Sequence, residues 1–511
     1  MQIYDNKALM LQLRNPQKVT TVIPKSKQVD DNKVLVHWGV DESRILNNLN
    51  IKVPAPMSGR YTYTGKHKPF AHQKVTAEFL TMNQRAFCFS EMGTGKTGSA
   101  IWAADFLMKQ GIVNRVLVVC PLSIMDSAWR NDLFTFAMHR TVDVAHGAAA
   151  KRKKIIAAGA EFVIINYDGL KIVSEDIAAG GFDLIIIDEA NAYKNAQTDR
   201  WKVLNRLLEP HTWLWMMTGT PAAQTPTDAF GLAKLVNPTA VPRAFGRFRD
   251  QVMYKVTNFK WVPKPDAVDT VHKVLQPAIR FTKKECLDLP EMVYATREIT
   301  LTAQQKKYYN QLKNQLVIQA AGETVTAQNA AISLSKLLQI SAGAVYSDDG
   351  ETLEFDIKNR YNVLKEVIEE TQQKVLVFVP FKHVISLLKE QLVSDGITAD
   401  VINGDVPAQK RTEIFKRFQE TTDPRVLIIQ PQAAAHGVTL TAADTVVWWG
   451  PTASVEIYAQ ANARVHRAGQ AHKCTVVNLQ GSPAERHVYS MLNNKMDIHT
   501  QIIDLYKQIL D

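Results

Sequence analysis

The sequence predicts an α/β chain of two tandem lobes, each a parallel sheet covered by helices, behind a small β-containing module. Three observations predict it. Short apolar runs alternate with helical stretches over two separate spans of the chain. A Gly-rich loop, S-E-M-G-T-G-K-T from Ser90 to Thr97, stands between one such run and a helical stretch. An acidic pair, Asp188 and Glu189, ends a later run of the same span.

The 511 residues suffice for about two to four domains with cores of their own. Apolar content of 46% and charged content of 22% are those of a globular protein. The net charge of +10 favours an anionic partner such as nucleic acid, as weak evidence by itself. The four cysteines, Cys88, Cys120, Cys286 and Cys474, follow no metal-ligand spacing, and Cys88 and Cys120 read as core thiols. The start, M-Q-I-Y-D-N-K, lacks a signal-peptide pattern, and no apolar run approaches the ~18 residues of a membrane span. The expectation is a cytoplasmic protein with no membrane partner.

Residues 1–62 form the leading module. Val19–Ile23 and Val34–Trp38, separated by the polar stretch Lys25–Lys33, predict a β-hairpin, with Pro54, Pro56, Ser58 and Gly59 as connector. Its lysines and asparagines suit an accessory DNA contact or a plain structural appendage. The first lobe, residues 63–280, has strand-like runs at Ala86–Phe89, Val116–Cys120, Phe162–Ile165, Leu184–Ile187 and Trp213–Met217. Pro238–Ile279 reads as less regular. A linking region with helical insert, residues 281–345, contains the helix-rich span Thr302–Ile340. The second lobe, residues 346–511, has runs at Val375–Val379, Val401–Ile402, Val426–Ile429, Val446–Trp449 and Thr475–Leu479, and a closing helix over Met496–Leu510.

The chemistry begins at the Gly-rich loop. Backbone N–H groups at a loop and helix start cradle phosphates, so Gly93, Thr94, Gly95, Lys96 and Thr97 are candidate binding residues. Lys96 reaches the β- and γ-phosphates, and the Thr97 hydroxyl holds Mg²⁺. Ser90 stands where the strict pattern has Gly. Asp188 holds the metal, directly or through water, and Glu189 positions the attacking water. Thr218-Gly219-Thr220-Pro221 is a turn that can bind phosphate or link the acidic pair to movement. In Q-A-N-A-R-V-H-R-A-G-Q, Gln460, Arg464 and Arg467 share one face if the segment is helical. Arginines supplied to a nucleotide held by the first lobe accelerate phosphoryl transfer by about a thousand-fold or more. The other reading of that face is a site for solvent or DNA phosphates.

These motifs, in this order, resemble a superfamily 2 helicase-type motor of the Swi/Snf group, over residues 66 to the end. K-P-F-A-H-Q resembles the group's adenine-reading segment, with Gln73 as its glutamine. V-L-V-V-C-P-L-S-I-M-D-S-A-W-R-N-D (116–132) and V-I-I-N-Y-D-G-L (163–170) are similar to DNA-contacting segments. M-T-G-T-P-A-A-Q-T-P-T-D-A-F-G-L (217–232), L-D-L-P (287–290), G-V-T-L-T-A-A-D (437–444) and R-V-H-R-A-G-Q (464–470) resemble further motifs of the group.

The resemblance implies two RecA-like lobes, ATP with Mg²⁺, and catalytic roles for Lys96, Asp188, Glu189, Arg464 and Arg467. It implies nucleotide contacts from Gln73 and Gln460. Candidate DNA contacts are Pro121, Ser123, Asn166, Phe381, Lys382 and Thr439. Asn191 stands where the group has His, and Ala434-Ala435, followed by His436, replaces its double Gly. The expected activity is ATP-driven tracking on duplex DNA, with forks or branched junctions as substrates. The alternatives are a strand-separating DNA or RNA helicase and the motor subunit of a restriction or defence complex. With no histone-reading module in view, a bare DNA motor of a bacterium or bacterial virus fits better than a nucleosome remodeller.

Overall fold

The computed structural model describes residues 1–494 except 220, 223–224, 258–260, 287–290, 323–326, 347–351, 435–437 and 468. L-D-L-P, Thr220, the Ala435–Gly437 stretch and the expected helix at Met496–Leu510 lie outside the described residues. The chain divides at residue 287 into two compact units. Among the described residues no helix is long and apolar enough to cross a membrane.

The first unit opens with an antiparallel sheet in the order β1-β2-β4-β3, made of β1 (Gln2–Tyr4), β2 (Ala8–Gln12), β3 (Ser26–Asp30) and β4 (Lys33–His37). Asp5 and Asn6, at φ of 47° and 51°, give the first hairpin the turn that matches strand twist. Leu9 and Leu11 of β2 and Val34 and Val36 of β4 alternate into a small core. The predicted hairpin is corrected here: Val19–Ile23 is the end of the short helix Gln17–Thr20 and the turn after it, and the polar stretch supplies β3. Val19 and Ile23 are four apart and both buried, and the Ile23 N–H donates to the Val19 carbonyl at 2.9 Å. They share a helical face; the edge strand β3 needs no apolar run because almost all of it is exposed.

Behind this module lies a seven-stranded, wholly parallel sheet in the order β13-β5-β10-β9-β6-β8-β7. Its strands are β5 (Arg85–Cys88), β6 (Val116–Cys120), β7 (Val142–Ala145), β8 (Phe162–Asn166), β9 (Leu184–Asp188), β10 (Trp213–Met217) and β13 (Ala278–Ile279). All five predicted apolar runs are strands, because inner strands of a two-faced parallel sheet are buried on both sides. The edge strands β7 and β13 are short and carry no such run. The stretch expected to be irregular contains helices Phe245–Val252 and Ala267–Val274 and the hairpin β11 (Met253–Lys255)–β12 (Trp261–Pro263).

The second unit has a six-stranded parallel sheet in the order β14-β21-β20-β17-β19-β18. These are β14 (Met292–Glu298), β17 (Lys374–Phe378), β18 (Ala399–Ile402), β19 (Val426–Ile429), β20 (Ala443–Trp448) and β21 (Cys474–Gln480), with a hairpin of β15 (Ala344–Tyr346) and β16 (Thr352–Glu354) besides. Its five predicted runs are strands; β14, from the stretch read as linking region, completes the edge. The helix-rich span resolves into Ala303–Gly322 and Ala327–Ala342.

In each unit a buried charged side chain ties helices to their surroundings. Asp105, fully buried in the Lys96–Lys109 helix, accepts from Tyr61 Oη and Arg140 Nε at 2.7 Å and meets His139 Nε2 and Lys109 Nζ at 2.8 Å. Burial pushes the Asp105 carboxyl up, but these hydrogen bonds outweigh it and hold the group at about 2. In the second unit, buried Arg360 of the Lys358–Glu370 helix donates to both Glu485 oxygens at 2.8 and 2.9 Å. Glu485 also caps the Pro483–Asn493 helix by accepting from Ser482 N at 3.1 Å.

We expect Asp105→Ala to cost about 3 kcal/mol in urea unfolding, since it strands buried donors. Because the native carboxyl titrates below its unfolded value of about 4, the wild-type advantage is full above that pH. It should shrink as pH falls from about 4 toward 2. Arg360→Ala should cost about 3–5 kcal/mol by the same measurement, as it leaves Glu485 charged and buried.

Candidate nucleotide site

The parallel register places the strand ends level. Asp188 at the end of β9 pairs with Met217 of β10, which pairs with Cys88 of β5. Cys120 of β6 pairs with Asn166 of β8. The loops that follow therefore leave one edge, the edge at which open α/β sheets bind ligands.

The first of these loops runs from Phe89 into the Lys96–Lys109 helix. Gly93 and Gly95 take φ of 84° and 79°, which glycine adopts without strain. The Gln73 amide lies against Gly95, where it would have to shift to admit a Cβ. Lys96 Nζ donates to the carbonyls of Ser90 at 2.7 Å and Glu91 at 3.2 Å, so the ammonium sits inside the curl of the loop. Gln73 Nε2 donates to the Thr94 carbonyl at 3.3 Å and Gln73 Oε1 accepts from Phe70 N at 2.9 Å. His72 Nε2 lies 2.8 Å from the same Thr94 carbonyl. Thr97 occupies the first turn of the helix.

Ser90 has work that Gly could not do. Its hydroxyl accepts from Phe281 N at 3.1 Å, and Glu91 Oε2 accepts from Lys283 N at 3.0 Å. The segment after β13 thus continues alongside the loop, bonded also through Glu91 N to the Phe281 carbonyl at 2.9 Å.

Asp188 faces this loop from the next strand but one. Its Oδ2 accepts from Trp129 Nε1 at 2.9 Å and its Oδ1 from Glu189 N at 3.0 Å. Burial raises the Asp188 carboxyl above the usual range, against the pull of Lys96 and these two hydrogen bonds. Glu189 adopts φ 51°, ψ 56°, a conformation uncommon for a residue with a side chain. Tyr167 Oη donates to the carbonyls of Asp188 at 2.6 Å and Glu189 at 3.2 Å. Asn191 lies in the short turn Ala190–Tyr193 that follows. Gly219 lies against Met92 of the loop, where a Cβ would meet Met92 Cγ at 3.5 Å.

The structure gathers Gln73, Gly93, Thr94, Gly95, Lys96, Thr97, Asp188 and Glu189 at this edge. Pro121 follows β6 and begins a turn through Leu122–Ile124; the Ser123 side chain is outside the described residues. Asn166 Oδ1 accepts from buried Arg152 Nη1 at 2.9 Å, which also holds the Ala145 carbonyl at 2.7 Å.

In the second unit the helix Val455–Asn462 carries Gln460, which donates to Glu456 Oε1 at 3.2 Å. That helix stops at Asn462, so the expected common helical face is corrected: Arg464 and Arg467 sit on the turns beyond it. Arg464 is buried and its carbonyl accepts from Leu440 N at 2.9 Å. Arg467 Nη1 donates to the Val438 carbonyl at 2.9 Å and to Thr439 Oγ1 at 3.0 Å. Phe381 precedes the Lys382–Ser394 helix and packs on the core, while Lys382 Nζ pairs with Asp405 at 2.8 Å.

Trp129, Tyr167 and His72 were not among the predicted site residues. They lie within the quoted motif stretches, but nothing in the sequence says that their polar atoms turn back to the acidic pair and the loop. The Phe281–Lys283 segment carries no sequence signal at all, since it acts mainly through its backbone.

Comparison with known proteins agrees with the motifs. The model of the SNF2-related domain matches residues 72–343, and that of the helicase conserved C-terminal domain matches residues 359–469. An uncharacterized ATP-dependent helicase of Mycoplasma genitalium is 25% identical over 420 residues, covering 80% of this chain and 39% of the relative. The SWI/SNF-related matrix-associated actin-dependent regulator of chromatin subfamily A-like protein 1 of Xenopus laevis is 26% identical over 462 residues, covering 85% and 44%. The chain thus spans less than half the length of these relatives. Among solved structures, the SWI2/SNF2 ATPase core of Sulfolobus solfataricus in complex with dsDNA has a TM-score of 0.43 at 21% identity, covering 88% of this chain and 96% of that one. With the SNF2-related model alone matching more than half of its residues, the chain belongs to the SNF2-related family.

Proposed function

We propose that the chain is an ATP-driven translocase that tracks on duplex DNA and remodels forks or branched junctions. The observation that carries this reading is the built phosphate cradle, Gly93 to Thr97, level with Asp188 and Glu189 on one strand edge of an SNF2-related domain. The fit to a nucleotide rests on the cradle itself: two left-handed glycines, the Gln73 amide packed against Gly95, and an ammonium that donates to two backbone carbonyls.

In this reading Lys96 exchanges its carbonyl partners for phosphate oxygens, a charge-assisted contact about twice as strong as a neutral one. Gln73 recognises the base from beside the loop. Thr97 and Asp188 would hold Mg²⁺, which when bound neutralises charge on the β- and γ-phosphates. Glu189 positions the attacking water. Arg464 and Arg467 neutralise charge on the transferring phosphoryl group, with Gln460 as a further nucleotide contact. Pro121, Ser123 and Asn166 of the first unit, and Phe381, Lys382 and Thr439 of the second, contact the DNA backbone. Contacts to phosphates make tracking independent of sequence and weaker as salt rises.

The test is ATP hydrolysis with no nucleic acid, single-stranded DNA, linear duplex, a model fork and structured RNA, at low and moderate salt. Strong stimulation by duplex or fork is expected; stimulation mainly by single strands or RNA overturns the reading in favour of a strand-separating helicase. Lys96→Ala should lower turnover by about a hundredfold or more. Gly95→Ala should weaken binding of a fluorescent ATP analogue about tenfold or more, through strain at its left-handed backbone and displacement of the Gln73 amide.

A further inference from the structure

Two aromatic side chains reach Asp188 from the loops that follow β6 and β8. Trp129, fully buried, lies in the widened helical turn Met125–Arg130, one step beyond the Pro121–Ile124 turn. Such π-helical turns are uncommon and marginally stable, and they concentrate at functional positions. Its indole N–H occupies one carboxylate oxygen of Asp188. Tyr167 comes directly after Asn166, and its hydroxyl bonds the carbonyls on both sides of the Glu189 Cα. That hydroxyl therefore helps to hold Glu189 in its left-handed conformation, and with it the direction in which the carboxylate leaves the backbone.

Neither ring is free to swing. The Tyr167 ring meets Tyr193 edge-on at 5.7 Å, with the Arg200 guanidinium 4.8 Å from its centre on a face. Asn166, its neighbour in the chain, is clamped by Arg152. A displacement of the Asn166 backbone is therefore transmitted to the Tyr167 hydroxyl, and one of the Met125–Arg130 turn to the Trp129 indole. Hydrogen bonds weaken steeply with misalignment, so displacements of a few tenths of an ångström matter.

We propose that Trp129 and Tyr167 are positioning residues that make hydrolysis at Asp188 and Glu189 depend on whether DNA occupies the Pro121–Asn166 side of the same strand edge. The inference rests on the duplex-tracking reading above. DNA phosphates seated on the loops after β6 and β8 set the position of these loops. The two aromatic donors then set the orientation of the Asp188 carboxylate and the backbone of Glu189. No bond is made or broken by either residue.

The experiment measures turnover of the full chain with saturating duplex and without DNA, for wild type, Trp129→Phe and Tyr167→Phe, together with the duplex concentration giving half-maximal rate. The ratio of stimulated to unstimulated turnover should fall about tenfold in each variant, with half-saturation little changed. A merely structural role would lower both rates together and leave the ratio at its wild-type value; that result overturns the proposal. A ratio lost only in step with duplex affinity overturns it too, because the residues would then serve binding. Tyr167→Phe removes one oxygen atom and keeps the ring packing, so it decides the matter even if Trp129→Phe does not fold. A wild type that duplex does not stimulate brings down the tracking reading, and the coupling with it, whereas unchanged variants beside a stimulated wild type bring down the coupling alone.

Discussion

Parallel pairing is the constraint on which the rest of each unit depends. It requires every strand to be followed by a crossover and so sends all carboxyl ends to one edge. In the first unit the register then aligns Cys88, Met217 and Asp188 across three neighbouring strands. The phosphate loop, the Thr218–Gly219 turn and the acidic pair are level because their strands end level. The helix that follows β5 points its N-terminus at the same edge, adding its dipole to the backbone N–H groups of the loop. The same pairing explains the buried Val, Ile and Leu runs, since helices cover both faces of the sheet.

Within that frame the loop is held by groups that can give way to phosphate and by groups that cannot. The carbonyls of Ser90 and Glu91 hold Lys96 by hydrogen bonds that, on the proposed reading, give way to phosphate oxygens. The Ser90 hydroxyl and the Glu91 carboxylate, by contrast, take backbone donors from Phe281 and Lys283. Ser90, where the strict motif has glycine, thus gives an anchor to the chain segment that passes the loop.

How much of this was legible follows from what each feature needs. The inner strands and the Gly-rich loop are specified locally, by apolar runs and by glycines at fixed spacing, and both were read directly. The strands β3, β7, β13 and β14 lie at sheet edges, where one side is open and no apolar run is required, so the sequence signal is weak. Val19 and Ile23 misled because a spacing of four serves a helix, while the apolar run around them looks like a strand. The turn carrying Arg464 and Arg467 was not legible because a helix end is set by tertiary contacts, here the Arg464 carbonyl taking Leu440 N. Trp129 and Tyr167 escaped for a related reason: an aromatic side chain in a motif reads as packing, and only the fold shows where its polar atom goes.

The two halves of the nucleotide site are fastened with unequal strength. The helix that begins at Lys96 is fixed near its far end by Asp105, a buried carboxylate with four donors, three of them on basic side chains. Hydrogen bonds to ionised groups are worth about 1.5–3 kcal/mol each, against about 1 kcal/mol for neutral pairs. Glu189 is instead fastened by a neutral tyrosine hydroxyl on backbone carbonyls, across a strained dihedral, and Asp188 by one indole from a widened helical turn. A change at the strand edge will therefore be taken up first by the acidic pair, while the phosphate loop keeps its shape. On the proposed reading, in which the loop binds the nucleotide and the carboxylates act in hydrolysis, that division puts the compliance where hydrolysis can be gated.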